Sequence, residues 1–202
     1  MNRFSPDSMI LQDDWSDLRR YREIPEIDFD RLRTYRMERI KSALREAEAS
    51  MCVLVNPVSL RYAVDYPTYP LFQSHIPSTY LFVPVDGPIV IYGVLGQVSP
   101  VDDARPARAI SYFEGGDQLS DGASLLADDL VDYLREIGTD NFRVAVEYVN
   151  PTLTQALMKR GLDVIDGVSV AEQARVIKSE EEIACMRWAI AVAEHGIGKM
   201  KE

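Results

Sequence analysis

Short, uninterrupted apolar runs constrain the fold of this chain more than any other feature of its sequence. The first run occupies residues 51–55 and ends at Asn56-Pro57, and similar runs occupy 80–83 and 89–92. These runs are short for helices, and they lack the apolar–polar alternation of a strand that has one face in water. They therefore predict strands that are covered on both faces, which requires helices on either side of a sheet.

The segment that separates the second and third runs indicates how these two strands pair. It reads Pro84-Val-Asp-Gly-Pro88, and an Asp-Gly pair flanked by apolar runs is a strong hairpin signal. The two strands are therefore predicted to be antiparallel neighbours. Weaker strand patterns at 109–113, 143–147 and 162–165 bring the predicted total to about six.

Helical patterns elsewhere supply the layers that cover the sheet. Apolar residues recur at three- and four-residue steps over 29–48 and 123–137, and Asn150 caps a further helix. Ser179 and Glu182 form a capping box, after which apolar residues continue at helical spacing to the end of the sequence. The predicted fold class is α/β, a mixed sheet of about six strands flanked by helices in three layers.

The segment 61–77, RYAVDYPTYPLFQSHIP, contains four aromatic residues, three prolines and His75. Proline interrupts regular strand pairing, so this segment is predicted to be a loop or an irregular strand. One interpretation is a surface that offers aromatic faces and an imidazole to a ligand or to another subunit. The other is a buried loop whose aromatic residues fill one end of the sheet, and the sequence leaves both open.

Charge and composition exclude several classes of function. Asp and Glu outnumber Lys and Arg by 32 to 22, which argues against a nucleic acid or an anionic membrane as a partner. No apolar run is long enough to span a membrane, and the N-terminus lacks the apolar core of a signal peptide. Cys52 and Cys185 are far apart in sequence, so the chain is predicted to be a reduced, cytoplasmic protein.

Candidate chemical groups are sparse. The chain has two histidines, and no set of side chains in it completes a catalytic, cofactor-binding or metal-binding site. The Gly-rich segment 114–117 lacks the spacing of a phosphate loop, and the carboxylate pairs 102–103 and 163/166 lack further metal ligands at a suitable spacing. These acidic residues are interpreted as solvated charges in loops and at strand ends.

Two segments carry a resemblance to a known family. The end of the chain resembles the segment that opens the catalytic domain of creatinase and of the Xaa-Pro aminopeptidases and dipeptidases (aminopeptidase P and prolidase). The segment Ser59-Leu-Arg-Tyr-Ala-Val-Asp-Tyr66 is similar to a stretch of their N-terminal domain, with Ser59 in place of the usual Asn and Asp65-Tyr66 in place of Gly-Phe. The matching positions near the end are Arg175, Lys178, Ser179, Glu182, Ile183, Met186, Arg187 and Ala189.

The resemblance implies a domain organisation. Residues 1–28 would be an N-terminal arm, 29–176 a creatinase-like N-terminal domain, and 177–202 the first helix of a catalytic domain that is cut short. In the family the catalytic domain has the pita-bread fold and holds two divalent ions (manganese, zinc, cobalt or iron) with two Asp, one His and two Glu. No residue of this chain matches those ligands, so the chain alone is expected to be inactive.

The resemblance also implies a role. The chain would be the non-catalytic domain of a metal-dependent Xaa-Pro peptidase or creatinase-like hydrolase, acting on a small peptide or another small molecule. It would contact its own C-terminal catalytic domain, form the interface of a homodimer or higher oligomer, and lie as a lid over the active site. A stand-alone module that binds a small ligand or a protein is the alternative from a different class.

A loop in this region suggests which residues face the substrate. In creatinase, an aromatic residue and an arginine of the corresponding loop touch the substrate. Here the loop reads Leu71-Phe-Gln-Ser-His-Ile-Pro77, so the resemblance implies Phe72 and His75 as substrate-facing residues. The same loop, and the N-terminal extension, resemble the dimethylsulfoniopropionate lyases of this fold, whose sulfonium substrate would suit an aromatic face. A lyase of that kind is the alternative activity.

Overall fold

The computed structural model describes residues 25–67, 76–93, 100–148 and 150–200. Two compact units are present, one formed by Arg33–Ile177 and the other by the described residues on either side of it. The helices and strands are α1 (Phe29–Glu46), β1 (Met51–Leu54), α2 (Pro57–Val64), β2 (Tyr80–Pro84), β3 (Val90–Tyr92), β4 (Asp103–Arg105), α3 (Tyr112–Gly115), α4 (Leu119–Glu136), β5 (Arg143–Val146), α5 (Pro151–Lys159), β6 (Asp163–Asp166), α6 (Gly167–Val176) and α7 (Glu180–Lys199).

The strands form one mixed sheet in the order β4-β3-β2-β1-β5-β6. Strand β2 runs antiparallel to both of its neighbours, and the other three neighbouring pairs are parallel. The predicted hairpin is confirmed, with Leu81 opposite Ile91. The other five strands therefore end at one edge of the sheet, which we call the carboxyl edge, and β2 begins there.

Two apolar clusters cover the two faces of the sheet. Successive residues of β1 alternate between them, with Met51 and Val53 on one face and Cys52 and Leu54 on the other. The first face packs against α4 and α5, and the second against α1, α2 and α6. All four residues of β1 are buried, so the predicted sheet between two helical layers is confirmed.

Aromatic side chains fill the core beneath α4. The rings of Tyr80 and Tyr92 stack with their centroids 5.0 Å apart, and the ring of Phe82 lies 4.5 Å from that of Tyr92. Tyr133 of α4 meets Phe82 edge-on, a geometry that the ring quadrupoles favour. Its hydroxyl donates a hydrogen bond to the carbonyl of Pro88, which ties α4 to the β2–β3 turn.

The strand predicted at 109–113 is wrong. The fourth strand is instead the polar β4, and residues 112–115 form the short helix α3. Strand β4 is at the edge of the sheet, where Arg105 pairs with Asp103 and with Glu136 of α4. Its three residues have no apolar pattern that sequence reasoning could detect. The apolar residues at 109–113 lead into α3 instead, with Ile110 buried.

Two helices on the second face were not predicted. Residues 61–64 belong to α2, although they lie in the segment interpreted as a loop or irregular strand. Asn56 caps α2 by accepting from the N–H of Val58, and Pro57 occupies its first turn, as Asn150 and Pro151 do at the start of α5. Helix α6 begins directly after β6, where Asp166 accepts a hydrogen bond from the N–H of Val168.

Helix α7 begins with the predicted capping box of Ser179 and Glu182. An apolar stripe along it, which we call the α7 stripe, is exposed to solvent, from 39% for Ile183 to 79% for Met200. Its members are Ile183, Met186, Ile190, Ile197 and Met200. None of the described helices is both long enough and apolar enough to cross a membrane.

The contact between α4 and the chain before α3 provides a test of this packing. A Cβ at Gly122 would lie 2.0 Å from the carbonyl oxygen of Ala109. We expect Gly122→Ala to lower the free energy of unfolding, measured in urea, by about 1–3 kcal/mol because backbone must move to admit the methyl group. The control is Gly115→Ala, where a Cβ would lie 3.5 Å from the Ala109 side chain and the change should stay within about 0.5 kcal/mol. Equal stability of the two variants would contradict this packing.

Candidate functional site

Open α/β sheets bind ligands at the edge where their parallel strands end, which in this chain is the carboxyl edge. Such sites form between neighbouring parallel strands whose following helices pack on opposite faces. Strands β1 and β5 are such a pair, because α2 follows β1 on one face and α5 follows β5 on the other. The crevice between their ends is therefore the candidate site.

The side chain of Glu147 lies in this crevice, directly after β5. Its Oε2 accepts hydrogen bonds from the backbone N–H groups of Val55 at 2.7 Å and Asn56 at 2.8 Å. Its Oε1 accepts from the hydroxyl of Ser59 in the first turn of α2. Helix N-termini attract anions, so a carboxylate of the chain itself occupies a position that suits a bound phosphate.

Arg175 extends this contact to α6. Its Nη1 donates to the Ser59 hydroxyl at 2.8 Å, and its Nη2 donates to the carboxylate of Glu172. Glu147, Ser59 and Arg175 therefore form one polar network, which we call the Glu147 network, joining β5, α2 and α6. Ser59 and Arg175 come from the two segments that carry the family resemblance, and the structure shows that these segments touch.

The end of α6 is held by side chains of the neighbouring helices. Arg39 of α1 donates from Nη2 to the carbonyl of Gln173 at 3.0 Å and from Nε to that of Ala174 at 3.2 Å. The hydroxyl of Tyr62 in α2 also donates to the carbonyl of Ala174, and that of Tyr35 in α1 donates to the carbonyl of Ile177. Cationic and hydroxyl donors satisfy carbonyls that a helix end leaves unpaired. The position at which the chain leaves this unit is thus fixed by α1 and α2.

Burial controls the ionisation of the groups in this crevice. Loss of solvent raises the pKa of Glu147, and this outweighs the hydrogen bonds from Ser59, Val55 and Asn56, which act in the opposite direction. Burial, and then the charge of Glu147, raise the pKa of the Cys52 thiol. Cys52 therefore remains protonated at neutral pH and is a poor nucleophile.

Phe72 and His75, the residues expected to face a substrate, lie outside the described residues. The chain on either side of their segment is described. The hydroxyls of Tyr66 and Thr79 are 3.1 Å apart in a buried hydrogen bond, and Thr79 precedes β2 at the carboxyl edge. His195 lies on α7, half-buried.

The acidic pairs noted in the sequence have structural partners. Asp102 accepts a hydrogen bond from the N–H of Ile89, and Asp103 pairs with Arg105. Asp163 lies 3.6 Å from Arg143. Within the described ranges, no three His, Cys, Asp or Glu side chains are grouped as a metal site requires. The metal ions implied by the resemblance therefore have no ligand set in that part of the chain.

Glu147 was missed by sequence reasoning. It ends the strand pattern 143–147, and nothing in the local sequence distinguishes it from an exposed strand-end glutamate. The partners that define its role are Val55, Asn56 and Ser59, about 90 residues earlier. Only the parallel pairing of β1 with β5 brings them together.

Removing the Glu147 carboxylate should destabilise the domain. We expect Glu147→Ala to lower the free energy of unfolding by about 2–3 kcal/mol, because two backbone N–H groups and the Ser59 hydroxyl lose their acceptor. Urea denaturation at neutral pH measures the loss. Glu38→Ala is the control, since Glu38 is exposed and lies 3.9 Å from Arg45, and it should change stability by less than about 0.5 kcal/mol. A similar loss in both variants would argue against the Glu147 network.

The raised pKa of Glu147 predicts a pH effect. The folded state retains a proton on this group at pH values where the unfolded chain has released it, so ionisation costs stability as the pH rises above the ordinary value of 4.5. Glu147→Gln cannot ionise. We therefore expect wild-type stability to fall relative to Glu147→Gln as the pH rises above the ordinary value of 4.5. Parallel stability–pH curves for the two proteins would contradict the raised pKa.

Comparison with known proteins relates this chain to two groups. No protein-family model matches it. It is 28% identical over 180 residues to the dimethylsulfoniopropionate lyase DddP of Roseovarius nubinhibens, covering 86% of this chain and 40% of that protein. It is 27% identical over 181 residues to DddP of Roseobacter denitrificans, covering 87% of this chain and 40% of that protein. The chain thus spans about two fifths of the length of these curated relatives.

Two solved peptidase structures share the fold. The aminopeptidase P (Xaa-Pro aminopeptidase) of Streptococcus thermophilus superposes with a TM-score of 0.50 at 12% identity, covering 71% of this chain and 98% of that one. The Xaa-Pro dipeptidase of Bacillus anthracis superposes with a TM-score of 0.51 at 16% identity, covering 75% of this chain and 38% of that one. The resemblance of this chain to the creatinase and Xaa-Pro aminopeptidase family is therefore confirmed at the level of fold, and its sequence is similar to that of dimethylsulfoniopropionate lyases.

Proposed function

We propose that this chain is the non-catalytic N-terminal part of a longer enzyme that cleaves dimethylsulfoniopropionate or a related small sulfonium compound. The observation that carries this proposal is the sequence similarity to two lyases of that substrate, which extends over 86% and 87% of the chain. The similarity to peptidases is one of fold, at 12% and 16% identity. One fold hosts many activities, so the sequence relatives are the better guide to the substrate.

In this proposal the chain contributes an arm (1–28), a domain (29–176) and the first helix (177–202) of a catalytic domain. The α7 stripe supports this division. An apolar helix face of this length is costly to leave in water and normally packs against another element. The relatives are long enough to supply one, because the chain matches only 40% of their length.

The remaining roles follow from the same proposal. The domain forms the interface of a homodimer or higher oligomer in the cytoplasm and lies as a lid over an active site. Phe72 offers an aromatic face to the sulfonium cation, which the ring quadrupole attracts. His75 provides a hydrogen bond or a positive charge to the carboxylate of the substrate. The two metal ions of the family belong to the part of the enzyme beyond this chain.

An Xaa-Pro peptidase or creatinase-like hydrolase is the second candidate. The fold similarity to the Bacillus anthracis dipeptidase and the Streptococcus thermophilus aminopeptidase supports it. The domain would then have the same role as a lid and interface, with a small peptide in place of the sulfonium compound.

The activity of the protein encoded by the complete reading frame distinguishes these candidates. We expect it to release dimethyl sulfide from dimethylsulfoniopropionate, detected by gas chromatography, and to leave Xaa-Pro peptides intact. The 202-residue chain alone should cleave neither substrate. Cleavage of Xaa-Pro peptides without dimethyl sulfide would favour the peptidase, and a reading frame that stops at Glu202 would favour a stand-alone binding module.

Substitution of the two loop residues tests their role. In the complete enzyme we expect Phe72→Ala combined with His75→Ala to raise KM about tenfold or more, because the cation and carboxylate contacts are lost. Metal content, measured by elemental analysis, should not change. Asp140→Ala, at an exposed position in the loop before β5, serves as the control and should leave KM unaltered. Unchanged kinetics in the double variant would remove both residues from the substrate site.

A further inference from the structure

Helix α3 presents two adjacent aromatic side chains to solvent. Tyr112 is 70% exposed and Phe113 is 77% exposed, more than any other aromatic residue in the described ranges. Neither the sheet nor the Glu147 network uses them. Aromatic side chains held in water are a recurrent mark of interaction sites, where they act as anchors.

The backbone beneath these aromatic residues is firmly held. Ile110 and Ser111 are buried, and the side-chain amide of Asn150 donates to the carbonyl of Ile110 at 2.9 Å. Within α3, the N–H of Gly115 donates to the carbonyl of Ser111 at 2.9 Å. The close approach of Gly122 to Ala109 adds a further constraint. Because the backbone is already ordered, binding of a partner here loses little backbone conformational entropy, which favours affinity.

Acidic residues surround the aromatic pair in the sequence. Glu114, Asp117 and Asp121 are exposed, and no ion pair joins any of them to another described residue. The carboxylates further along α4 differ, since each has an arginine partner. These pairs are Asp128 with Arg160, Asp129 with Arg108, Asp132 with Arg135 and Glu136 with Arg105.

We propose that this α3 patch (Tyr112, Phe113, Glu114, Asp117 and Asp121) binds an arginine-bearing segment of another protein chain. The guanidinium group stacks on aromatic faces and forms two-pronged hydrogen bonds with carboxylates, so it matches both components of the patch. A second copy of this chain docking through the same patch would bring three carboxylates against three, which is electrostatically unfavourable.

A peptide titration tests the proposal on the 202-residue chain. The probe is a blocked Gly-Arg-Gly-Arg-Gly peptide, and its lysine counterpart is the comparison. Amide chemical shifts in NMR spectra should change mainly at residues 112–121, and the arginine peptide should bind more tightly. Tyr112→Ser with Phe113→Ser should weaken binding about tenfold at unchanged net charge. Because both side chains are exposed, the variant should retain the wild-type thermal unfolding midpoint.

The control removes two negative charges elsewhere. Asp86→Asn with Asp140→Asn, both at exposed positions between elements, should weaken binding by no more than about twofold. A loss of binding in this charge variant, with no loss in the aromatic variant, would show that binding follows net charge alone and would overturn the proposal. Changes in amide chemical shifts centred outside residues 112–121 would also overturn the proposal. Self-association in sedimentation experiments that the aromatic variant abolishes would assign the patch to a second copy instead.

Discussion

Burial of β1 on both faces is the constraint on which the rest of this domain depends. Each of its four residues is apolar and shielded from water, and its neighbours β2 and β5 are buried almost as fully. A strand of this kind is stable only between two layers of helices, which α4 and α5 provide on one face and α1, α2 and α6 on the other. In the same arrangement, the helices that follow β1 and β5 pack on opposite faces of the sheet. This leaves a crevice between the ends of the two strands, and the side chain of Glu147 lies in it.

The Glu147 network gives a physical reason for residues that otherwise look like a family signature. Arg175 and Ser59 are joined by a hydrogen bond, and Tyr62 in the same segment holds the carbonyl of Ala174. The two segments are therefore parts of one contact between α2 and α6. The substitution of Ser59 for the usual asparagine retains a side chain that can both donate to Glu147 and accept from Arg175.

The elements predicted well are those whose signals are local. The buried runs, the Asp86-Gly87 hairpin and the Ser179 capping box each depend on residues within one turn or strand. Strand β4 was missed because it is held by Arg105, which pairs with a distant helix and leaves no apolar pattern. Glu147 was missed for the same reason, since its partners come from an earlier strand and helix. Helix α2 is a different case, because its Asn-Pro start is a local signal that the sequence does contain.

The two outer strands of the sheet limit how this domain can assemble. Strand β4 consists of Asp103, Ala104 and Arg105, and β6 begins and ends with Asp163 and Asp166. Short strands with charged residues are poor templates for another strand, because pairing would force those charges out of water. Growth of the sheet from one molecule into the next is thus disfavoured at both sides. Association through side chains on helices and loops avoids that cost, so it is the favoured way for two molecules of this domain to meet.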